Sequence, residues 1–384
     1  MKPYVKLSVD GKPVAGAFYE RLISVSVTDK DGESADTIDI DLNDGPPDFL
    51  AMPRKGAVIT LEMGYEGFGV PMVGRYTVDK VACKCLPYTM SISGKSADLR
   101  AGKLKERQER HFDDQTLGQI LSTIARESGL TPAVDPALAS VRYPWIGQQD
   151  ESNIHFARRL AERNNALFSI KGGRLVFARK GSGISAGGTF LGTVMITPDR
   201  IIKGSCSFEA NDRTRYSKVV AYYQDGEQAE RREIGADADA DGDSVYRIPE
   251  PFSSVTEADE AAQAKARDLK RGEGASSVTV VGDPAIRAGA PLLFENVRPG
   301  LDGVPYVIDQ VVHSFSKQQG LHSQISAKLY DGKSAKAGAT DADSETGEGS
   351  SVSSETVAPN SPAGTPATPT LWTTGRRYGS TDAN

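Results

Sequence analysis

At 384 residues the chain is long enough for two or three domains, and 38% hydrophobic with 25% charged residues places its body among globular chains. The net charge is −6, half of it in the segment from Ser334 onward, so the body is mildly acidic. That argues against specific nucleic-acid binding, which needs clustered Lys and Arg, and no apolar run reaches the eighteen residues of a membrane span.

The first hundred residues read as β. Val5, Leu7 and Val9 alternate with polar neighbours and Asp10-Gly11 follows as a turn; Ile23, Val25 and Val27 repeat the alternation, then Ile38, Ile40 and Leu42. Ile59–Met63, Tyr76–Val81 and Met90–Ile92 continue the series. Period two buries one face of each strand, and short strands between Gly, Pro and Asp turns predict a small barrel over 1–100. The start MKPYVKLSVDGK lacks the apolar core of a signal peptide, so the chain is expected to be made and kept in the cytoplasm.

After Leu104 the period changes. Leu117, Ile120, Leu121, Ile124 and Ala125 predict a helix over 115–128, capped by Asp113 or Asp114 and closed at Gly129. A second helix is expected over 153–164, then a hairpin over 167–178 whose Gly172-Gly173 tip suits a primed turn. Together these make a compact α/β middle unit over 101–200. Strands resume at Ser205–Phe208 and Lys218–Tyr223, and Ser254 with Glu257 marks the start of an alanine-rich helix over 255–271. Strands at Val278–Val281, Leu292–Phe294, Tyr306–Phe315 and Ile325–Leu329 complete a second barrel over 201–333. The fold class is therefore mainly β with an α+β insertion: two small β-barrel domains around a compact α/β unit. From 334 to 384 the chain is Ser, Thr, Ala, Gly, Pro and acids, too poor in apolar residues to offset ordering entropy; a flexible tail is expected.

Candidate sites are few. Asp237, Asp239 and Asp241 with Gly242 match the opening of a calcium loop, but Ile248 stands where the closing bidentate Glu belongs, which favours a solvated acidic loop. Cys83 and Cys85 have no further Cys or His at zinc spacing. The four histidines form no paired-ligand motif, and neither a nucleophile elbow nor a Walker loop is present. His313 is expected to be a structural hydrogen-bonder. No catalytic residue, metal or cofactor is assigned. Trp372, Arg376, Arg377 and Tyr378, at the end of the tail, have the composition of a docking peptide.

Four segments carry a family resemblance: Val27–Leu42 with Pro53–Gly56; Gly74–Asp79 with Ile92–Leu99; Gln149–Asn153 with Phe156–Arg163; and Gly282–Gly289 with Tyr306–Ile308 and His313-Ser314. In this order they resemble the phage late control protein D family, the contractile-tail hubs that are also similar to the N-terminal half of VgrG spike proteins. The resemblance implies a non-enzymatic homotrimer whose six barrels form a pseudo-hexameric ring between the hexameric tail tube and a trimeric spike. Its implied partners are the tail tube protein, the spike protein, other baseplate proteins and the tape measure protein, in a virion assembled in the host cytoplasm. The rival reading is a peptidoglycan-binding or wall-degrading tail component, since Thr116–Leu130 is faintly similar to the helix of LysM modules.

Overall fold

In the computed structural model the described residues are 2–330, except 15, 32–34, 69–71, 97–103, 182, 184–190, 211–214, 226–229, 239–243 and 253. The tail from 331 onward, with Trp372, Arg376, Arg377 and Tyr378, lies outside them.

The first strands are β1 (Pro3–Val9), β2 (Lys12–Pro13), then helix α1 (Gly16–Arg21), β3 (Leu22–Lys30), β4 (Thr37–Asn43), β5 (Val58–Tyr65), β6 (Met72–Lys84) and β7 (Thr89–Lys95). The insertion follows with β8 (Arg107–Thr116), α2 (Leu117–Glu127), β9 (Thr131–Val134), α3 (Pro136–Ala139), β10 (Arg142–Ser152), α4 (Asn153–Arg163), β11 (Ala166–Lys171) and β12 (Arg174–Arg179). The chain then runs through β13 (Val194–Ile196), β14 (Ser207–Ala210), β15 (Lys218–Asp225), β16 (Glu230–Asp237), β17 (Val245–Phe252) and α5 (Val255–Arg271). It closes with β18 (Gly274–Val281), β19 (Pro291–Phe294), β20 (Tyr306–Ser316) and β21 (Gly320–Leu329).

The fold is mainly β. The predicted alternation sets which face each strand buries: in β3, Val25 and Val27 are inside while Ser24, Ser26 and Thr28 point out. Strands of the first barrel pack Val25, Ile38, Ile40, Leu61, Met63 and Tyr76 into one core. Strands of the second pack Val278, Val280, Phe294, Tyr306, Val311 and Ile325 into another. The two barrels are not separate sheets. β20 pairs antiparallel with β3, His313 opposite Val27, so both belong to one 13-stranded sheet in the order β14-β18-β21-β20-β3-β4-β7-β6-β5-β1-β2, with β13 and β19 branching off beside β20. Gly94 lets β6 and β7 cross closely, since a Cβ there would sit 2.9 Å from the Thr77 carbonyl oxygen.

The insertion has its own core, in which α2 and α4 pack on β11, β12 and β9 and the rings of Phe112 and Phe156 stack 5.8 Å apart. The α2 cap differs from expectation. Asp113 and Asp114 remain in β8, and Thr116 caps the helix with Gln119 in a reciprocal capping box that satisfies two otherwise orphaned amides. Gly129 is left-handed, φ +68°, as its position at the helix end requires. β8 and β10, strands not anticipated from the sequence, form a separate two-stranded sheet. A fourth core lies where the alanine face of α5 meets the sheet β16-β15-β17, with Ala258, Ala262 and Val219 fully buried. β16 and β17 also escaped the pattern: both are edge strands rich in charge, and β17 carries Pro249 and Pro251, residues that blunt an edge.

Candidate functional site: a serine-rich sheet face and a buried ion cluster

The outward face of the large sheet runs without interruption over both barrels. Its central rows carry Ser24, Asp41 and Ser91 side by side, then Ser314, Ser26, Asp39 and Ser93. The carboxylates are held down by hydroxyl donors: Ser91 Oγ donates to Asp41 at 2.6 Å, Ser24 Oγ to its other oxygen at 3.2 Å, and Ser93 Oγ to Asp39 at 2.6 Å. Gln324, Ser326, Ser277 and Thr279 extend the face across β21 and β18. Lys30, Lys95 and Lys328 stand at one end of this face and Lys80 and Lys84 on β6. Outward positions of a solvated sheet usually collect long charged side chains. In the central rows they are instead short, hydroxylated and mildly acidic.

Behind this face lies a buried cluster that the sequence did not reveal. Lys171, at the tip of the β11–β12 hairpin, donates to Asp29 of β3 at 2.6 Å and lies 3.0 Å from Asp36. The second oxygen of Asp29 accepts the Ala288 amide at 3.1 Å. Three parts of the chain, the first barrel, the insertion and the second barrel, thus meet on one carboxylate. Burial alone would raise Asp29; the charge and hydrogen bond of Lys171 and the Ala288 amide outweigh it and hold it below its ordinary value. Asp36 goes the other way, because burial and the neighbouring Asp29 charge exceed its share of Lys171. Partners 142 residues apart leave no spacing signal.

His313 sits beside this cluster, fully buried, its Nδ1 2.9 Å from Ser323 Oγ and its Nε2 3.0 Å from the Ile286 carbonyl oxygen. Burial, reinforced by the Arg287 charge, pushes it down to about 4, so the ring is neutral and bound on both nitrogens. A cavity of about 370 Å³ opens here, lined by Asp29, Asp36, Arg75, Tyr76, Lys171 and Arg287.

A groove of about 830 Å³ lies between β10, α4 and β17. Several of its ionisable groups are paired: Glu151 accepts from Arg159 and from His155, and Arg163 Nη1 donates to Glu257 at 2.7 Å. Burial would raise Glu151, but the Arg159 and His155 hydrogen bonds overcome it and keep the carboxylate charged. The arrangement locks these elements together. Glu257 shows why the α5 cap is only half a capping box: Ser254 Oγ accepts the Glu257 amide at 3.2 Å, while the Glu257 carboxylate is drawn to Arg163 instead.

Asp237 ends β16, with its backbone paired to Lys218, and Ile248 packs against the α5 core; Asp239 and Asp241 lie outside the described residues. Cys83 and Cys85 are exposed and Cys206 half-buried, all as free thiols. Among the described residues no group of three or more His, Cys, Asp or Glu side chains could hold a metal ion.

Comparison with known proteins agrees with this architecture. The phage tail baseplate hub family (GPD) matches residues 51–319. A probable baseplate hub protein of Escherichia phage P2 is 30% identical over 368 residues, spanning 86% of this chain and 94% of that protein. Among solved structures, a 43 kDa tail protein of prophage MuSo2 from Shewanella oneidensis superposes with a TM-score of 0.65 at 18% identity, covering 86% of this chain and 99% of that one. An E. coli component of the type VI secretion system, described as structurally similar to the phage T4 tail proteins gp27 and gp5, gives a TM-score of 0.51 at 12% identity over 85% of this chain and 77% of that one.

Proposed function

Because the chain belongs to the phage tail baseplate hub family, we propose that three copies close into a ring joining the hexameric tail tube to the trimeric spike. One observation carries this reading. The run β14-β18-β21-β20-β3-β4-β7-β6 divides four and four between the two barrel cores, so each subunit offers two comparable units and three subunits offer six. A trimer can then face a sixfold partner on one side and a threefold partner on the other. In this arrangement the serine-rich face forms the wall of the central channel, and the insertion and the α5 unit lie outside it.

The hub acts mechanically, as a symmetry adaptor, without breaking or forming a covalent bond and without a cofactor. Its partners are the tail tube, the spike, other baseplate proteins and the tape measure protein, and it is assembled in the host cytoplasm into the virion. The division at 1–100, 101–200 and 201–333 belongs to this proposal. So do a solvated role for the Asp237 loop and a docking role for Trp372, Arg376, Arg377 and Tyr378, which deletion of 336–384 tests through loss of spike binding. The rival wall-binding reading is weakened because the apolar residues of α2 are spent on the insertion's own core. Light scattering on the purified chain, alone and with its spike, decides the main point: a mass of three 41.0 kDa subunits is expected, and a single-subunit mass in both samples overturns the ring.

A further inference from the structure

We propose that the groove beside β10 binds an uncharged oligosaccharide, with the indole of Trp145 as the platform for one sugar ring. This goes beyond the ring reading and stands or falls apart from it.

Trp145 lies on the outward row of β10 with Gly147 and Gln149, while Ile146 and Gln148 turn inward and are buried. The indole is 51% exposed, stands outside the insertion's core and lines the groove between β10, α4 and β17. Its six-membered ring lies over Gly147, where a Cβ would sit 2.9 Å from Cη2 and 3.4 Å from Cζ2. Gly147 is not left-handed, so glycine serves here to make room for the ring and not to turn the chain. Gln149 Cγ lies 3.6 Å from the same point, so the Gln149 side chain borders the platform.

A bulge supplies the polar rim. The β8–β10 register shifts between Gln148 and Glu151, and Asp150 takes φ +46°. Bulges re-aim side chains, and this one leaves Gln149 and Asp150 exposed at the groove. Gln149, Lys105 and Glu250 all line the groove and have no side-chain partner among the described residues. An amide, an ammonium and a carboxylate therefore remain to donate and accept hydrogen bonds.

What is already paired decides the ligand class. Arg107 is bound to Asp150 at 2.9 Å, Arg159 to Glu151 and Arg163 to Glu257, so the guanidinium groups facing the groove are matched by carboxylates. A phosphate chain would meet those carboxylates and gain little. A protein anchor would want apolar neighbours around Trp145, yet among the described residues no other large apolar side chain of the lining is exposed. A sugar fits both halves of the surface. The C–H face of a pyranose packs on an aromatic ring, and its hydroxyls need hydrogen-bonding groups at that ring's edge. The groove's 830 Å³ falls within the range of about 300–1,000 Å³ usual for ligand clefts.

The test uses the full chain and two probes: chitotetraose for the N-acetylhexosamine strands of cell wall, and maltotetraose for the plain hexose chains of surface polysaccharide. Saturation-transfer NMR is expected to show ring protons of at least one probe in contact with the protein, and which one responds assigns the source. Trp145→Ala, with an unchanged circular dichroism spectrum, is expected to weaken that binding by roughly tenfold, the scale of one lost ring contact. Gln149→Ala is expected to weaken it by about threefold, the scale of one exposed hydrogen bond. Trp372→Phe leaves Trp145 as the sole indole, and its fluorescence should shift saturably with the same probe. Neither probe binding the wild-type chain, or binding unchanged by Trp145→Ala, overturns the proposal. Inert sugars together with a baseplate protein that binds the wild type and not Trp145→Ala overturn it too, and make this surface a protein contact.

Discussion

The large sheet and the inserted α/β unit solve the problem of an outward surface differently. Across the sheet, the residues opposite the core are Ser, Thr, Gln and Asp, tied to one another by short hydroxyl–carboxylate bonds. In the insertion, β8 and α4 carry arginines that are engaged by acids: Arg110 with Glu127, Arg159 with Glu151, Arg163 with Glu257. Long charged side chains fasten neighbouring elements, while short hydroxyls leave a face smooth. The difference teaches that the insertion is braced against its neighbours by long charged side chains, whereas the sheet face is tied together within itself by short ones.

The sharpest way to break that contrast is to unfold one region alone. Phe156→Ala empties a fully buried stacked ring and should cost about 4 kcal/mol. Hydrogen exchange should show the loss in α2, α4, β11 and β12 while β3, β4 and β20 stay protected; equal loss in both regions would mean one cooperative unit. Acid should act first on the sheet. His313 is held below its ordinary value, so the unfolded chain binds a proton that the folded chain refuses as pH falls from about 6.5 toward 4, and stability of the order of 3 kcal/mol is lost across that window. Asp36, held high, acts in the opposite sense over the same range, so urea midpoints of wild type and His313→Gln must be compared: the variant should lack the acid-side loss.

A smaller effect probes the seam between the regions. Lys171→Met leaves the Asp29 carboxylate buried without its cation and should lower stability by roughly 2 kcal/mol, less than for a fully buried pair because Lys171 is half-exposed. The second change Asp29→Asn should recover part of this in a double-mutant cycle; no recovery would show that the two do not act together. Least of all, Arg142→Ala removes a wholly exposed pair with Asp114 and should leave the melting temperature unchanged.

Much of this was legible in advance wherever a local pattern had one dominant cause. The alternation of Thr37-Ile38-Asp39-Ile40-Asp41-Leu42 gave both the strand and its two faces, and Ser254 with the alanines of 255–271 gave α5. β8, β16 and β17 escaped because half-exposed edge strands carry little apolar periodicity. The cap of α2 went to Thr116 because an extended strand, invisible locally, occupies Asp113 and Asp114. The motif Gly282-Asp283-Pro284 is part of the family resemblance, but its cause is tertiary: a Cβ on Gly282 would sit 2.7 Å from the Leu321 backbone.

By itself, then, the amino-acid order determined the strand faces, the three longest helices, the α/β insertion and the family, because each follows from periodicity, capping and motif order within reach of neighbouring residues. Only the tertiary structure decided that β3 and β20 fuse two barrels into one sheet and that Asp29, Asp36 and Lys171 share a buried site. Those are pairings between distant segments, fixed by backbone hydrogen bonding and burial of charge once the chain has closed on itself, and no local spacing encodes them.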